Sequence, residues 1–152
     1  MCMTRLSGRY SQLFSLLAKA VTSFENEVNK HQLGEKATDE WTVKDQLCHI
    51  AGWHEYYAQN YAALASGTKP FLFVSKGGST RNQEGVDKLK NKSKKFLLTI
   101  LEKAHASLYE SIVVKQVPGM TYIVGTNYTT EKFLEVVTGH ITRHTILVRR
   151  AR

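Results

Sequence analysis

The sequence predicts an all-α fold, a four-helix bundle with long connections between helices two and three and between helices three and four. Three observations support this prediction. Only two prolines occur in the 152 residues. Apolar residues recur at three- and four-residue steps along four long stretches, which is the pattern of a helix with one buried face. No internal repeat or change of composition divides the chain, so we expect a single domain over residues 1–152.

The first two predicted helices have recognisable boundaries. Helix one carries an apolar stripe from Leu6 to Val28. Helix two begins at Thr42, and Asp45 three positions later predicts a capping box, in which each residue bonds to the backbone N–H of the other. Helix two should end at Ser66, because Gly67 is a typical residue just beyond a helix terminus.

The two connections frame a predicted third helix, which runs as one element from about residue 82 to Ser111. The loop before it holds Phe71-Leu72-Phe73, an apolar triplet that either packs plainly on the bundle or forms a pocket wall. Residues 113–128 form the least helical stretch, since Pro118-Gly119 interrupts a β-branched segment. We expect a short hairpin or a strap there, followed by helix four, which Thr129 should cap.

The chain is basic, with 21 Lys and Arg against 13 Asp and Glu. The lysine run at 88–95 and the arginines at 149–152 resemble solvated helix faces, and net charge alone informs solubility rather than fold. No recognition motif or aromatic interleaving accompanies the charge, so nucleic-acid binding is not expected. Two cysteines, no signal-peptide core and no apolar run of membrane-spanning length favour a reduced, cytoplasmic location.

The residues most suggestive of chemistry are His140 and His144 on helix four. Residues four apart share one face of a helix, with Cβ atoms about 5–6 Å apart, so both imidazoles can reach one transition-metal ion. Two ligands are too few for tight binding, and His49 on helix two is the best candidate for the third. His54 is five positions further on and points elsewhere. His31 and His105 are expected at the surface, in polar stretches.

Four other side chains are placed near this predicted site by helical spacing. Trp53 and Tyr56 follow His49 by four and seven positions, and Asn60 follows one turn later. They are candidate substrate-binding residues, although aromatic residues at helical spacing also build cores. Arg143, between the two late histidines, is expected to point away from them toward solvent or a dimer partner. No catalytic base is identified.

The run Trp41-Thr42-Val43-Lys44-Asp45-Gln46-Leu47-Cys48-His49-Ile50, together with His140-x-x-x-His144, resembles the DinB-like metal-binding four-helix bundle superfamily. Within it, His49–Glu55 followed by Ser66–Pro70 is most similar to the ClbS/DfsB branch. In the superfamily, histidines at these three positions bind a divalent metal, usually zinc or nickel. The resemblance therefore implies that His49, His140 and His144 are metal ligands.

The resemblance implies two alternative functions, and both stay open here. The first is a metal-dependent enzyme of thiol-transferase or hydrolase type, which acts on a small electrophilic molecule, with a low-molecular-weight thiol as a further cofactor. The second is a ClbS/DfsB-like resistance or small-molecule-binding protein that does not require metal. Bundles of this family often pair, so a homodimer is a candidate assembly.

Overall fold

A computed structural model of the chain describes residues 2–73 and 78–152, with side chains described from residue 8 onward. This part of the chain contains five α-helices and one two-stranded sheet. In chain order the elements are α1 (Cys2–Lys30), α2 (Val43–Ala65), α3 (Gly78–Leu89), α4 (Lys94–Tyr109), a π-helical continuation (Glu110–Val114), β1 (Gly119–Ile123), β2 (Thr126–Thr129) and α5 (Thr130–Arg149). No helix among the described residues is both long and apolar enough to cross a membrane.

The bundle consists of two tightly packed helix pairs. Helix α1 lies along α5, and α2 lies along α4, while α3 packs on α2. Each of the four long helices contributes its apolar stripe to one continuous core, which removes these stripes from water. Large side chains at its centre are fully buried: Leu17, Phe24, Leu47, Tyr61, Leu97, Leu108, Phe133, Leu134 and Ile141. The predicted helical bundle is therefore present, with α1, α2, α4 and α5 as its long members.

The predicted third helix is wrong as one continuous element, because α3 ends at Leu89 and α4 begins after Ser93. The Ser93 hydroxyl accepts a hydrogen bond from the backbone N–H of Phe96 at 3.2 Å, so it caps a new helix. Residues 90–95 are all polar, so no buried apolar side chain holds this turn in a single helix. The described part of the chain consequently has five helices instead of four, and its two-stranded sheet also departs from a strict all-α bundle.

The connection before α5 contains the hairpin that was one of the two predicted alternatives. Strands β1 and β2 pair antiparallel, with Gly119 opposite Thr129. A Cβ on Gly119 would lie 2.7 Å from the carbonyl oxygen of Tyr128, so only glycine permits this approach. Gly125 turns the hairpin with φ of +88°. The hairpin packs on α2 and α5, and its Tyr122 contacts Trp53, Tyr56 and Tyr57 in the middle of α2.

The predicted capping box at the start of α2 is confirmed. The Thr42 hydroxyl accepts a hydrogen bond from the Asp45 N–H at 3.2 Å, and the Thr42 N–H donates to the Asp45 carboxylate at 2.8 Å. The predicted cap of the last helix is confirmed as well, since the Thr129 hydroxyl accepts from the Lys132 N–H. At the other end of α2, Gly67 has the left-handed φ of +72° expected beyond a helix terminus.

We expect Thr42→Ala to lower the free energy of unfolding by about 1 kcal/mol, because it removes the hydroxyl that satisfies an N–H at the start of α2. Urea denaturation followed by circular dichroism measures the change. Thr42→Ser keeps the hydroxyl and should stay close to wild type. Equal destabilisation by both substitutions would show that the methyl group, and not the cap, stabilises the helix start.

Candidate metal centre

Three histidines from two helices converge at one point in the bundle. His140 and His144 stand on successive turns of α5, with ring centroids 4.5 Å apart. His49 of α2 lies opposite them, its ring centroid 5.0 Å from that of His140 and 4.6 Å from that of His144. One ligand nitrogen from each ring lies within 4.8 Å of the others. The meeting of the three rings is thus as predicted, while metal binding itself stays a prediction.

The packing of α2 holds His49 in place. Val43, Leu47 and Ile50 on the same helix are buried in the core, so the rotation of α2 is determined by these side chains. The ring of Trp41, from the loop before α2, packs against His49 at a centroid distance of 5.0 Å. His49 is therefore only 3% exposed.

Burial keeps all three imidazoles neutral. Desolvation, together with the other two histidines, lowers the pKa of His49 to about 3. Desolvation and the positive charge of Arg143 lower the pKa of His140 to about 4. The pKa of His144 is lowered to about 3, chiefly by desolvation, then by His140 and Arg143. Neutral imidazoles offer the lone pairs that a metal ion requires.

A glutamine fixes the tautomer of one of these rings. The Nδ1 atom of His144 bonds to Oε1 of Gln46, a buried residue of α2. A carboxamide oxygen only accepts, so Nδ1 carries the proton and Nε2 keeps its lone pair. Metal-ligating histidines usually donate their second N–H to such a partner. Gln46 was not singled out in the sequence, although it precedes His49 by three positions and so shares its helix face.

Three imidazole nitrogens are a donor set typical of zinc and other divalent transition metals, and one pair of them already lies near the spacing that tetrahedral coordination requires. Zinc–nitrogen bonds of about 2.0–2.1 Å place two tetrahedral ligands about 3.3 Å apart. The Nε2 atoms of His49 and His140 are 3.0 Å apart, close to that spacing. The Nδ1 atom of His49 is buried without a hydrogen-bond partner among the described residues. Such an orphan atom costs about 1–3 kcal/mol, which a bond from the other ring nitrogen to a cation would help to offset.

We expect Gln46→Leu to weaken zinc binding by about 10–100-fold, because the His144 N–H loses its acceptor and the ring is no longer oriented. Competition with a chromophoric chelator measures the affinity. Gln46→Glu retains an acceptor oxygen at the same position and should bind zinc at least about tenfold more tightly than Gln46→Leu. Identical affinities of the two variants would contradict an orienting role for the Gln46 side chain.

Two cavities open beside the three histidines. The first, which we call the His49 cavity, has a volume of about 300 Å³ and is bordered by His49. The second, the His140 cavity, has a volume of about 330 Å³ and is bordered by His140. Trp53, Arg81 and Asn82 border both cavities and form the wall between them. Asn82 accepts a hydrogen bond from the Trp53 indole N–H at 2.9 Å, which fixes this wall.

Of the three candidate substrate-binding residues, two border a cavity beside the histidines and one does not. Trp53 borders both cavities. Tyr56 borders the His49 cavity, and its hydroxyl donates to the Tyr122 carbonyl at 2.7 Å and accepts from the Phe73 N–H at 3.2 Å. It thereby ties the loop after α2 to the hairpin, and Phe73 serves as a pocket wall. Asn60 is 2% exposed and borders neither of these two cavities.

Arg143 is exposed to solvent, as expected, but it does not stand apart from the histidine site. Its side chain borders the His140 cavity together with His140 itself. Its positive charge contributes to the lowered pKa of both His140 and His144. The sequence contains a signal for this proximity to His140, because Arg143 follows it by three positions and residues three apart are neighbours on a helix surface.

His105, which was predicted to lie at the surface, is instead half-buried. Its ring stacks on that of His54 at a centroid distance of 5.7 Å, with 3.4 Å between His54 Nε2 and His105 Nδ1. Phe14 of α1 packs on its other side at 4.8 Å. His105 follows the buried Ala104 on α4. It therefore lies at the edge of the apolar stripe and faces α2. His54 does point away from His49, as predicted, into this second histidine pair.

Comparisons with known proteins identify the fold of this chain but not its family. No protein-family model matches the sequence, and no curated protein sequence matches it either. A solved structure described as the crystal structure of the mycothiol-dependent maleylpyruvate isomerase superposes with a TM-score of 0.70 at 12% sequence identity. The match covers 90% of this chain and 59% of the isomerase chain, so this chain spans less than two thirds of that protein. The two proteins share their fold, which agrees with the DinB-like helical fold expected from the sequence.

Proposed function

We propose that the chain is a metal-dependent enzyme of DinB-like type, which joins a low-molecular-weight thiol to a small electrophilic molecule or uses that thiol to transform it. The observation that carries the proposal is the convergence of three neutral imidazoles, from α2 and α5, between two cavities. The thiol dependence named for the isomerase that shares the fold supports the choice of a thiol.

His49, His140 and His144 would hold the ion. Three imidazoles suit zinc or nickel and leave coordination positions for reactants. A divalent ion there supplies Lewis acidity, which lowers the pKa of a coordinated thiol or water and polarises a carbonyl group. The protein contributes three neutral ligands, the Gln46 acceptor that orients His144, and a buried setting in which charges interact strongly.

The two cavities would receive the two reactants. The His49 cavity is bordered by charges of both signs, Glu55 and Glu84 against Arg81 and Lys88. This mixture suits a thiol that itself carries ammonium and carboxylate groups. The His140 cavity is then available for the electrophile. Because the wall between them is shared and includes Trp53, both reactants would approach the same three histidines.

The proposal is tested by a conjugation assay with 1-chloro-2,4-dinitrobenzene and glutathione, bacillithiol or mycothiol in turn. The thiolate sulfur forms a bond to the ring carbon, chloride leaves, and the thiol proton passes to solvent. Turnover should require both the thiol and a zinc or nickel ion and should vanish after dialysis against a chelator. Measurable metal binding without any thiol-dependent turnover across a panel of such electrophiles would refute the thiol-transferase form of the proposal.

A ClbS/DfsB-like protein that binds a small molecule without metal is the second candidate. It is favoured by the His140 cavity, most of whose lining side chains are aromatic or aliphatic and suit the binding of a small organic molecule. Ligand binding or hydrolysis that is unchanged after metal removal would select this candidate over the first. The ClbS/DfsB branch, the homodimer and the cytoplasmic location stay predictions.

A further inference from the structure

We infer that the His140 cavity binds a flat, unsaturated molecule that carries a carboxylate, and that Arg143 pairs with this carboxylate. The inference rests on the proposed function only in treating this molecule as the electrophilic substrate. It adds the chemical class of that substrate and the residue that recognises it.

The cavity wall favours a flat ligand. Five of its lining residues are aromatic, and they pack as one group: Trp53, Tyr57, Tyr122, Tyr128 and Phe133. Trp53 stacks on Tyr122 at a centroid distance of 5.5 Å, and Tyr122 lies 5.8 Å from Tyr128. Aromatic faces are best covered by another planar π-system, in offset-stacked or edge-on geometry. A volume of about 330 Å³ lies at the small end of ligand pockets and so limits the molecule to a compact one.

The charge around the cavity favours an anion. Two guanidinium groups, from Arg81 and Arg143, border it, and none of the described residues that line it is Asp or Glu. Burial raises the pKa of the Tyr57 and Tyr122 phenols above the usual value of 10, so these hydroxyls stay neutral. The lining therefore presents positive charge and contributes no carboxylate of its own.

Of the two guanidinium groups, Arg143 is the one available for a ligand. Arg81 bonds to Glu84 at 3.2 Å, and its guanidinium carbon lies 4.7 Å from the centre of the Phe73 ring. Arg143 has no carboxylate within ion-pair distance among the described side chains. A guanidinium binds a carboxylate through two parallel hydrogen bonds. A phosphate, with three oxygens and up to two charges, would leave part of its charge unpaired beside a single free arginine.

The position of Arg143 also fits the proposed reaction. It follows His140 by three residues on α5, so an anion bound to it lies one helical turn from a proposed metal ligand. The unsaturated part of the molecule would then extend over the aromatic wall, with Trp53 separating it from the His49 cavity.

The test is calorimetric titration of three probes into the 152-residue chain, both as isolated and after removal of metal by a chelator. The probes are trans-cinnamate, its neutral analogue cinnamamide, and phenyl phosphate. The metal-free arm is essential, because a carboxylate could also bind directly to an ion. The variants are Arg143→Gln and, as a control with the same loss of charge, Arg150→Gln at the exposed end of α5. Quenching of tryptophan fluorescence reports contact with the wall.

In the metal-free protein we expect cinnamate to bind at one site at least about tenfold more tightly than cinnamamide. The reason is that a charge-assisted hydrogen bond to arginine contributes about that much affinity. Arg143→Gln should abolish this preference while leaving cinnamamide unchanged, and Arg150→Gln should preserve it. Equal binding of acid and amide, no binding of either, an unchanged preference in Arg143→Gln, or tighter binding of phenyl phosphate than of cinnamate would each overturn the inference.

The same samples separate this inference from the proposed function. Zinc titration of each preparation measures the metal site independently of the probes. Arg143-dependent cinnamate binding in a protein that takes up no zinc would uphold the inference and refute the metal-dependent enzyme. One equivalent of bound zinc without the preference for cinnamate would refute the inference alone.

Discussion

Replacing His140 by alanine is expected to weaken zinc or nickel binding by more than about a hundredfold. The reason is that the substitution removes one of three nitrogens that lie within 4.8 Å of one another. Loss of a group that merely orients a ligand already costs about 10–100-fold in metal affinity, and loss of the ligand itself should exceed that. Elemental analysis of the purified variant should find the metal well below one equivalent, and chelator competition should give the change in affinity.

The matched control is His31→Ala. His31 follows the last residue of α1, and its Nδ1 lies 2.6 Å from the Glu35 carboxylate, away from the three-histidine cluster. That variant should keep a full equivalent of metal. If His140→Ala retained wild-type affinity, the cluster would not be a metal site, and the contact between His49 and His140 would be only a hydrogen bond in the core.

Acidification is expected to destabilise the metal-free protein, and His54 should account for about 3 kcal/mol of the loss between pH 8 and pH 4.5. Burial chiefly, and the nearby His105 and His140, lower the pKa of His54 from 6.5 to about 3. Above pH 6.5 the residue is neutral in both folded and unfolded chains. Between pH 6.5 and about 3 only the unfolded chain binds the proton, so stability falls as the pH falls, by about 1.4 kcal/mol per pH unit.

Urea denaturation at half-unit pH intervals measures this slope. His54→Gln should lower stability at pH 8 but flatten its decline toward pH 4.5. Leu101→Ala is the control, since Leu101 is fully buried and apolar, and its loss should lower stability by a similar amount at every pH. A slope in His54→Gln as steep as that of wild type would mean that His54 takes up no proton on unfolding in this range.

Local features of the fold were predictable from the sequence to a greater extent than long-range ones. The caps at Thr42 and Thr129 and the glycine beyond α2 were predicted because each depends on residues within four positions of one another. The pairing of His140 with His144 belongs to the same class, since the helical repeat alone places both rings on one face. The break at Ser93 is also local, but a polar stretch between apolar stripes is equally typical of the solvated face of one long helix.

The contacts of Gln46 and His105 could not be predicted from local spacing. Gln46 meets His144 across 98 residues of sequence, and His105 meets His54 across 51. Each contact depends on how far two helices are rotated about their axes and shifted along each other. That rotation results from the packing of all the buried side chains together, so no single segment of the sequence specifies it.

The sequence by itself determined a helical chain, the caps that begin two of its helices, and a pair of histidines that must share a face. Only the tertiary structure decided that His49 completes a cluster with them, that Gln46 orients one ring, and that the exposed Arg143 also borders an aromatic cavity. The physical reason is that helix formation depends on neighbours three and four residues apart, whereas a site between helices requires the whole core to fix their register.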